Sequence, residues 1–248
     1  MQLKGRTLLI TGGNSGIGFE IAKMACAEGA RVFLHGRDAS KTHAAADALG
    51  SGVVPVTADM SSITDIEQMA AEIRARTPVL DGLVINAGVG PFMSLSDMTE
   101  ACYDLIMDTN VKGAFFTIRA VRSLLAPSAS IVFNGSVVAN KGLPGSSVYA
   151  ASKAALRAMT RALATELAPA GIRVNIVNPG PVDTPILDKQ GITGATKLTM
   201  QRQFGEATLL QRIARVDEVA AMFLFLLSDK ASYVTGSAFD VDGGFAQI

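Results

Sequence analysis

The segment from Arg6 to Gly29 confines this chain to a small set of folds. RTLLIT (residues 6–11) is an apolar run of strand length, and TGGNSGIG (Thr11 to Gly18) is a glycine loop. FEIAKMACAEG then repeats its apolar residues at helical spacing as far as Gly29, a residue suited to ending a helix. Glycines at 12, 16 and 18 let the backbone turn tightly between strand and helix. They also bring the free N–H groups and positive dipole end of the helix against a phosphate. An ordinary tight turn uses the same letters, so the reading rests on the strand before and the helix after. Both are present, and dinucleotide binding is the expectation.

The same alternation continues downstream. Strands are predicted at RVFLHGRD (Arg31 to Asp38), VVPVTAD (Val53 to Asp59) and GLVINAG (Gly82 to Gly88), separated by helices around Ser40 to Leu49 and Ile63 to Arg76. A long helical pattern runs from Thr99 to about Leu125. ASIVFNGS (Ala129 to Ser136), IRVNIVN (Ile172 to Asn178) and SAFDVDGG (Ser237 to Gly244) supply further strands, with helices near Val148 to Ala168 and Val216 to Leu227. This pattern predicts an α/β fold: one doubly wound domain over 1–248, with a mainly parallel, about seven-stranded sheet flanked by helices on both faces. No repeat, low-complexity tract or linker divides it.

Composition narrows the partners. The 22 basic and 22 acidic residues cancel and form no long runs, so nothing marks a nucleic-acid or anionic membrane surface. The opening apolar stretch is too short for a signal sequence, and VAAMFLFLL (Val219 to Leu227) is too short to span a bilayer. Cys26 and Cys102 both fall in helix-like segments, which predicts free thiols in a reducing compartment and a cytoplasmic location. A small-molecule partner is the expectation. Only His35 and His43 are present, both early, and neither a G-x-S-x-G elbow nor a metal-ligand spacing is seen. Hydrolase chemistry and a metal site are therefore not expected.

Chemistry concentrates in SVVANKGLPGSSVYAASK (Ser136 to Lys153). Ser136 ends a strand, whereas Tyr149 and Lys153 lie one turn apart on a helix face, where a cation beside a phenol favours the phenolate. Tyr-x-x-x-Lys arises by chance about 0.1 times in such a chain, so the triplet needs support from elsewhere. Three strand ends provide it. At the tip of the second strand stands Gly36 followed by Arg37, where an acidic residue would favour the free 2′-hydroxyl of NAD; a guanidinium there grips a 2′-phosphate, predicting NADP(H). Asp59 either accepts from the adenine amino group or caps the next helix. Asn86, Ala87 and Gly88 close the fourth strand. Asn110, an amide within an apolar helix, is either a satisfied structural residue or a polar group placed near a site. NPGPVDTP (Asn178 to Pro185) gives a rigid path suited to lying along a flat ligand, and residues 186–211 read as a lid of loop and short helices.

Together these motifs resemble the short-chain dehydrogenase/reductase family over essentially the whole length: TGGNSGIG, NAG at 86–88, Asn110, Ser136 with Tyr149 and Lys153, and NPG at 178–180. The resemblance implies a single Rossmann domain with a cofactor-binding half at about 1–90 and a catalytic half at about 91–248, the substrate loop being 186–211. It implies a catalytic set of Asn110, Ser136, Tyr149 and Lys153, in which Tyr149 exchanges a proton with a carbonyl oxygen. Ser136 would hold that oxygen, Lys153 would supply charge and hold the nicotinamide ribose, and Asn110 would anchor a water. Cofactor contacts are implied for Gly12, Asn14, Ser15, Gly16, Ile17 and Gly18, then for Arg37, Asp59, Met60, Asn86, Ala87 and Gly88. Pro179, Gly180, Val182 and Thr184 complete that set beside Tyr149 and Lys153. Phe92, Val137, Val138, Leu143, Leu187, Met200 and Phe204 are the expected pocket walls, suiting a ketone or secondary alcohol with an apolar body. Reduction of 3-oxoacyl groups on a carrier protein is one alternative, made less attractive by the neutral LLAPSAS (Leu124 to Ser130), and a non-catalytic NADP-binding regulatory protein is another. A homotetramer is also implied.

Overall fold

The computed structural model describes residues 1–189 and 191–246. Seven strands form one wholly parallel sheet: β1 (Thr7–Ile10), β2 (Arg31–Gly36), β3 (Val53–Thr57), β4 (Leu80–Ile85), β5 (Leu125–Asn134), β6 (Arg173–Pro179) and β7 (Ala238–Val241), in the order β3-β2-β1-β4-β5-β6-β7. The order reverses between β1 and β4, and at such a switch point the strand carboxyl ends open a crevice. The predicted doubly wound sheet is the one observed.

Period-two alternation sorts the strand side chains onto two faces. Leu8 and Ile10 of β1 point to one layer with Val32, Val84, Val132 and Val177, covered by α1 (Gly16–Ala27), α2 (Ala39–Leu49) and α9 (Val216–Leu227). Leu9, Phe33, Phe133 and Ile176 point to the other, under α3 (Ile63–Arg76), α5 (Gly113–Val121) and α6 (Ser147–Leu167). Fully buried Phe33, Phe133 and Phe223 anchor these layers, and burial of such a side chain stabilises by roughly 1.5–3 kcal/mol.

Two stretches depart from the sequence reading. The helix expected over Thr99 to Leu125 is α4 (Glu100–Met107) and α5 joined by a π-helical turn, Asp108–Lys112, centred on Asn110. The segment 186–211 contains α7 (Ile186–Lys189) and α8 (Gly194–Glu206); of its residues, Gln190 lies outside the described ones. Only Gly205 of α8 is fully buried, so the helix has too narrow an apolar face to show a period. Among the described residues no helix is long and apolar enough to cross a membrane.

Candidate active site

The glycine loop is shaped by close approach. Gly12 has φ +63°, and a Cβ there would stand 2.9 Å from the Ala87 Cα; at Gly18 it would fall 2.4 Å from both Asn86 Nδ2 and the Gly12 carbonyl oxygen. Asn86 Nδ2 donates to the Thr11 and Gly12 carbonyls at 2.9 Å, while Thr11 Oγ1 accepts from the Asn86 and Ala87 N–H groups. Gly16 (φ +57°) opens α1, whose first turn holds no acidic residue, and its Cβ position is 3.6 Å from the Thr184 side chain. Segment 179–184 thus folds beside the helix start, and Ile17 and Val182 meet on the same crevice. A tight, acid-free cradle at a helix N-terminus fits the diphosphate of a dinucleotide.

His35 is the residue that motif reading missed. It is buried; its Nδ1 accepts from the Gly12 N–H at 3.1 Å, so its Nε2 carries the proton and donates to the Ala58 carbonyl at 3.0 Å. Its own carbonyl accepts from Gly13 N–H at 2.7 Å. One imidazole therefore ties the glycine loop to β2 and β3, and burial pushes its pKa down, against the opposing effects of the Ala58 bond and Asp59. A polar residue inside an apolar strand next to a glycine loop was the available signal.

At the tip of β2 a Cβ on Gly36 would stand 2.3 Å from Thr42 Oγ1 and 2.4 Å from Asn14 Nδ2, leaving no room for an acidic side chain. Arg37 is exposed there, and among the described residues its guanidinium takes part in no hydrogen bond or ion pair. Asp38 faces elsewhere, capping α2 through the Lys41 N–H at 3.0 Å. Asp59 does not cap α3; Ser62 does, accepting from the Asp65 N–H, because Ser62 is the residue immediately before the helix. Asp59 Oδ1 instead accepts from the Ser61 hydroxyl and N–H at 2.7 and 2.8 Å, bonds that hold its carboxyl below the usual range, with Arg37 adding a smaller effect. The Met60 side chain is buried in the core, where its sulfur accepts from Thr117, so only its backbone is left for a cofactor contact.

The catalytic candidates converge at the ends of β4 and β5. Ser136 begins the turn after β5, and α6 carries Tyr149 and Lys153 back past it. Tyr149 and Ser136 line the same cleft; Lys153 Nζ donates to the Asn134 carbonyl at 2.7 Å and sits 5.6 Å from the Tyr149 ring centre. Asn110 is fully engaged: Oδ1 accepts from Val89 N–H at 2.8 Å, and Nδ2 donates to the Val89 carbonyl and to Ser152 Oγ at 2.8 and 3.0 Å. Both amide hydrogens are used, so its side chain braces the strand end against α6 and has no donor left for a water. Gly90 completes the packing, since a Cβ there would lie 2.7 Å from the Tyr149 ring.

Burial is the main influence on both ionisable groups here. Burial pushes Tyr149 up to about 12, with the nearby Ser136 hydroxyl acting the other way, and burial brings Lys153 down to about 8. Desolvation penalises both charged forms. At neutral pH these values leave a phenol beside an ammonium.

Ser136 and Tyr149 open onto a cleft of about 190 Å³. Phe92, Val137, Val138, Leu143, Leu187 and Phe204 line it as expected. Met200 does not: α8 turns about 100° per residue, and the face toward the cleft passes through Gln201 and Phe204. Asn134, Ile213 and Phe245 also line it and lay outside the sequence expectation.

With this geometry in hand, known proteins were compared. The family profile described as Enoyl-(Acyl carrier protein) reductase matches residues 12–246. Oxidoreductase asL5 of Sarocladium schorii is 37% identical, covering 100% of this chain and 98% of its own length. A solved structure described as a short chain dehydrogenase/reductase family protein is 40% identical with a TM-score of 0.87, covering 100% of both chains. A 3-ketoacyl-(acyl-carrier-protein) reductase from Brucella melitensis, solved in complex with NADH, is 31% identical with a TM-score of 0.88 over 98% of this chain and 99% of its own.

Proposed function

The chain belongs to the short-chain dehydrogenase/reductase family, and from that premise we propose an NADP(H)-dependent enzyme that interconverts a ketone and a secondary alcohol, with Tyr149 as general acid and base. Oxidoreductases of this family act on CH–OH and C=O groups with a nicotinamide cofactor. The observation that carries the finer reading is the convergence of Ser136 and Tyr149 on the wall of one apolar cleft, with Lys153 held behind the Tyr149 ring through the Asn134 carbonyl.

When bound, the cofactor supplies or takes up the hydride. The chain's residues supply the rest. The cradle of Gly12, Gly16 and Gly18 would hold the diphosphate, Thr184 and the backbone at Val182 the carboxamide, and Lys153 the ribose. Ser136 holds the substrate oxygen while the Tyr149 phenol gives it a proton; the Lys153 ammonium stabilises the phenolate left behind. In oxidation the same phenolate takes the proton back. Asn110 acts as a positioning residue, fixing Val89 and Ser152 around this group.

Support for NADP(H) comes from Arg37, exposed and unengaged beside a Gly36 that admits no carboxylate. The reading extends to a homotetramer in the cytoplasm: Tyr103, Leu105 and Phe115 of α4 and α5 are 48, 42 and 43% exposed, suited to burial against other subunits, and Cys26 and Cys102 are free thiols. A second reading, reduction of 3-oxoacyl groups on a carrier protein, draws on the Brucella neighbour and the profile. Oxidation of NADPH with a panel of simple ketones and 3-oxoacyl thioesters separates the two. Turnover of simple ketones is expected; thioester turnover only would favour the carrier-protein reading. Tight NADPH binding with no turnover on either set would point to a binding protein.

A further inference from the structure

The C-terminal turn delivers a side chain that the family motifs do not account for. The buried Asp242 accepts from the Gly244 and Ala246 N–H groups at 2.9 and 2.8 Å, and Gly243 and Gly244 adopt φ +61° and +83°, where only glycine is unstrained. A Cβ on Gly180 would lie 2.6 Å from the Asp242 Cα, so this turn packs directly on the strand end that follows Asn178. The result is that Phe245, 3% exposed, becomes part of the cleft wall.

Two other elements hold it there. Phe204 of α8 meets its ring edge-to-face, centroids 6.4 Å apart at 73°. Lys141, on the loop that follows Ser136, places Nζ 4.4 Å from the Phe245 ring centre and donates to the Phe245 carbonyl. Phe245 therefore joins the active-site loop to the helix over the cleft. No charged side chain lines the cleft among the described residues; Asn134, Ser136 and Tyr149 place polar atoms near the reacting centre, Thr184 and Gln201 add two neutral polar groups, and Phe92, Leu143, Phe204 and Phe245 supply apolar wall.

We propose that Phe245, clasped by Lys141 and Phe204, sets the length of the substrate's apolar arm, and that the substrate class is uncharged ketones, and the matching secondary alcohols, with a short or planar apolar arm. This rests on the ketone–alcohol reading above. A cleft with no charged lining offers nothing to a charge on the substrate, whose desolvation would go uncompensated.

The test is kcat/KM for NADPH-dependent reduction of methyl ketones from butanone to decanone, with acetophenone, in wild type, Phe245→Ala, Phe245→Leu and Lys141→Met, each checked by thermal melting. Wild type should favour the short members and acetophenone. Phe245→Ala should raise decanone relative to butanone by about tenfold or more, mostly through KM. Lys141→Met should move the profile the same way by less. Phe245→Leu, which keeps an apolar filler, should fall between and serves if the alanine variant does not fold. Folded variants with the wild-type length profile would overturn the assignment while leaving the ketone–alcohol reading intact. A wild type that reduces none of the series would overturn both.

Discussion

Lys153 Nζ lies 2.7 Å from the Asn134 carbonyl oxygen, so the last residue of β5 fixes the ammonium beneath the Tyr149 ring. The Asn134 side chain donates to Asn86 Oδ1 at 2.8 Å, and Asn86 grips the glycine loop. Lys153 and the glycine loop are thus joined through two asparagines.

This arrangement fixes a pH dependence for reduction. Lys153 is cationic below about 8 and Tyr149 is a phenol below about 12. As pH rises through about 8 the lysine loses the charge that stabilises the departing phenolate, while the phenol is still present. A kcat/KM profile for reduction should therefore be level below about 8 and fall above it. In Lys153→Met that limb should vanish and the remaining activity should be lower by about a hundredfold or more. A limb that persists unchanged in the variant would remove Lys153 from the assignment.

Arg37→Ala should lower kcat/KM for NADPH by about tenfold to a hundredfold, the value of a charge-assisted bond to phosphate. NADH kinetics should hardly change. Equal losses for the two cofactors would contradict a 2′-phosphate contact.

His35 should make stability fall in acid. Its folded pKa lies below the ordinary 6.5, so the unfolded chain takes up a proton first. The stability is fully present above 6.5 and is lost progressively as pH falls from there toward the lower folded value. His35→Ala should remove that slope, and by leaving Gly12 N–H and the Ala58 carbonyl without partners should cost about 2–4 kcal/mol at neutral pH. Denaturant melts of both proteins across this range check it; parallel pH slopes would refute the role.

Gly90→Ala places a methyl group 2.7 Å from the Tyr149 ring, so the ring must shift. A displacement of about 1 Å costs up to about a hundredfold in rate. The loss should appear in kcat with NADPH affinity retained, as measured by fluorescence titration; a full kcat would show that the ring's position is not critical.

Strands β1, β2, β4, β5 and β6 were legible because each contains a buried apolar run, and the period-two alternation leaves little choice of face. Gly12, Gly16 and Gly18 were legible for a related reason, since a strand feeding a helix through glycines has few other uses. What escaped was set by tertiary context. Asn110 looked like an interruption of a helix, but only the π turn shows that its amide serves Val89 and Ser152. His35 and Phe245 carry no motif and gain their roles from chain segments remote in sequence. Met200 and Gln201 exchange places because helix phase cannot be read where α8 buries only Gly205. The strength of Tyr149 as an acid depends on desolvation, which spacing along a helix does not encode.

The central claim is that the Tyr149 hydroxyl moves the proton, and Tyr149→Phe tests it most directly because only that oxygen is removed. The variant should bind NADPH with nearly wild-type affinity by fluorescence titration, while its kcat for ketone reduction drops by about a hundredfold to ten thousandfold. A Phe variant that reduces the ketone at the wild-type rate would contradict the account.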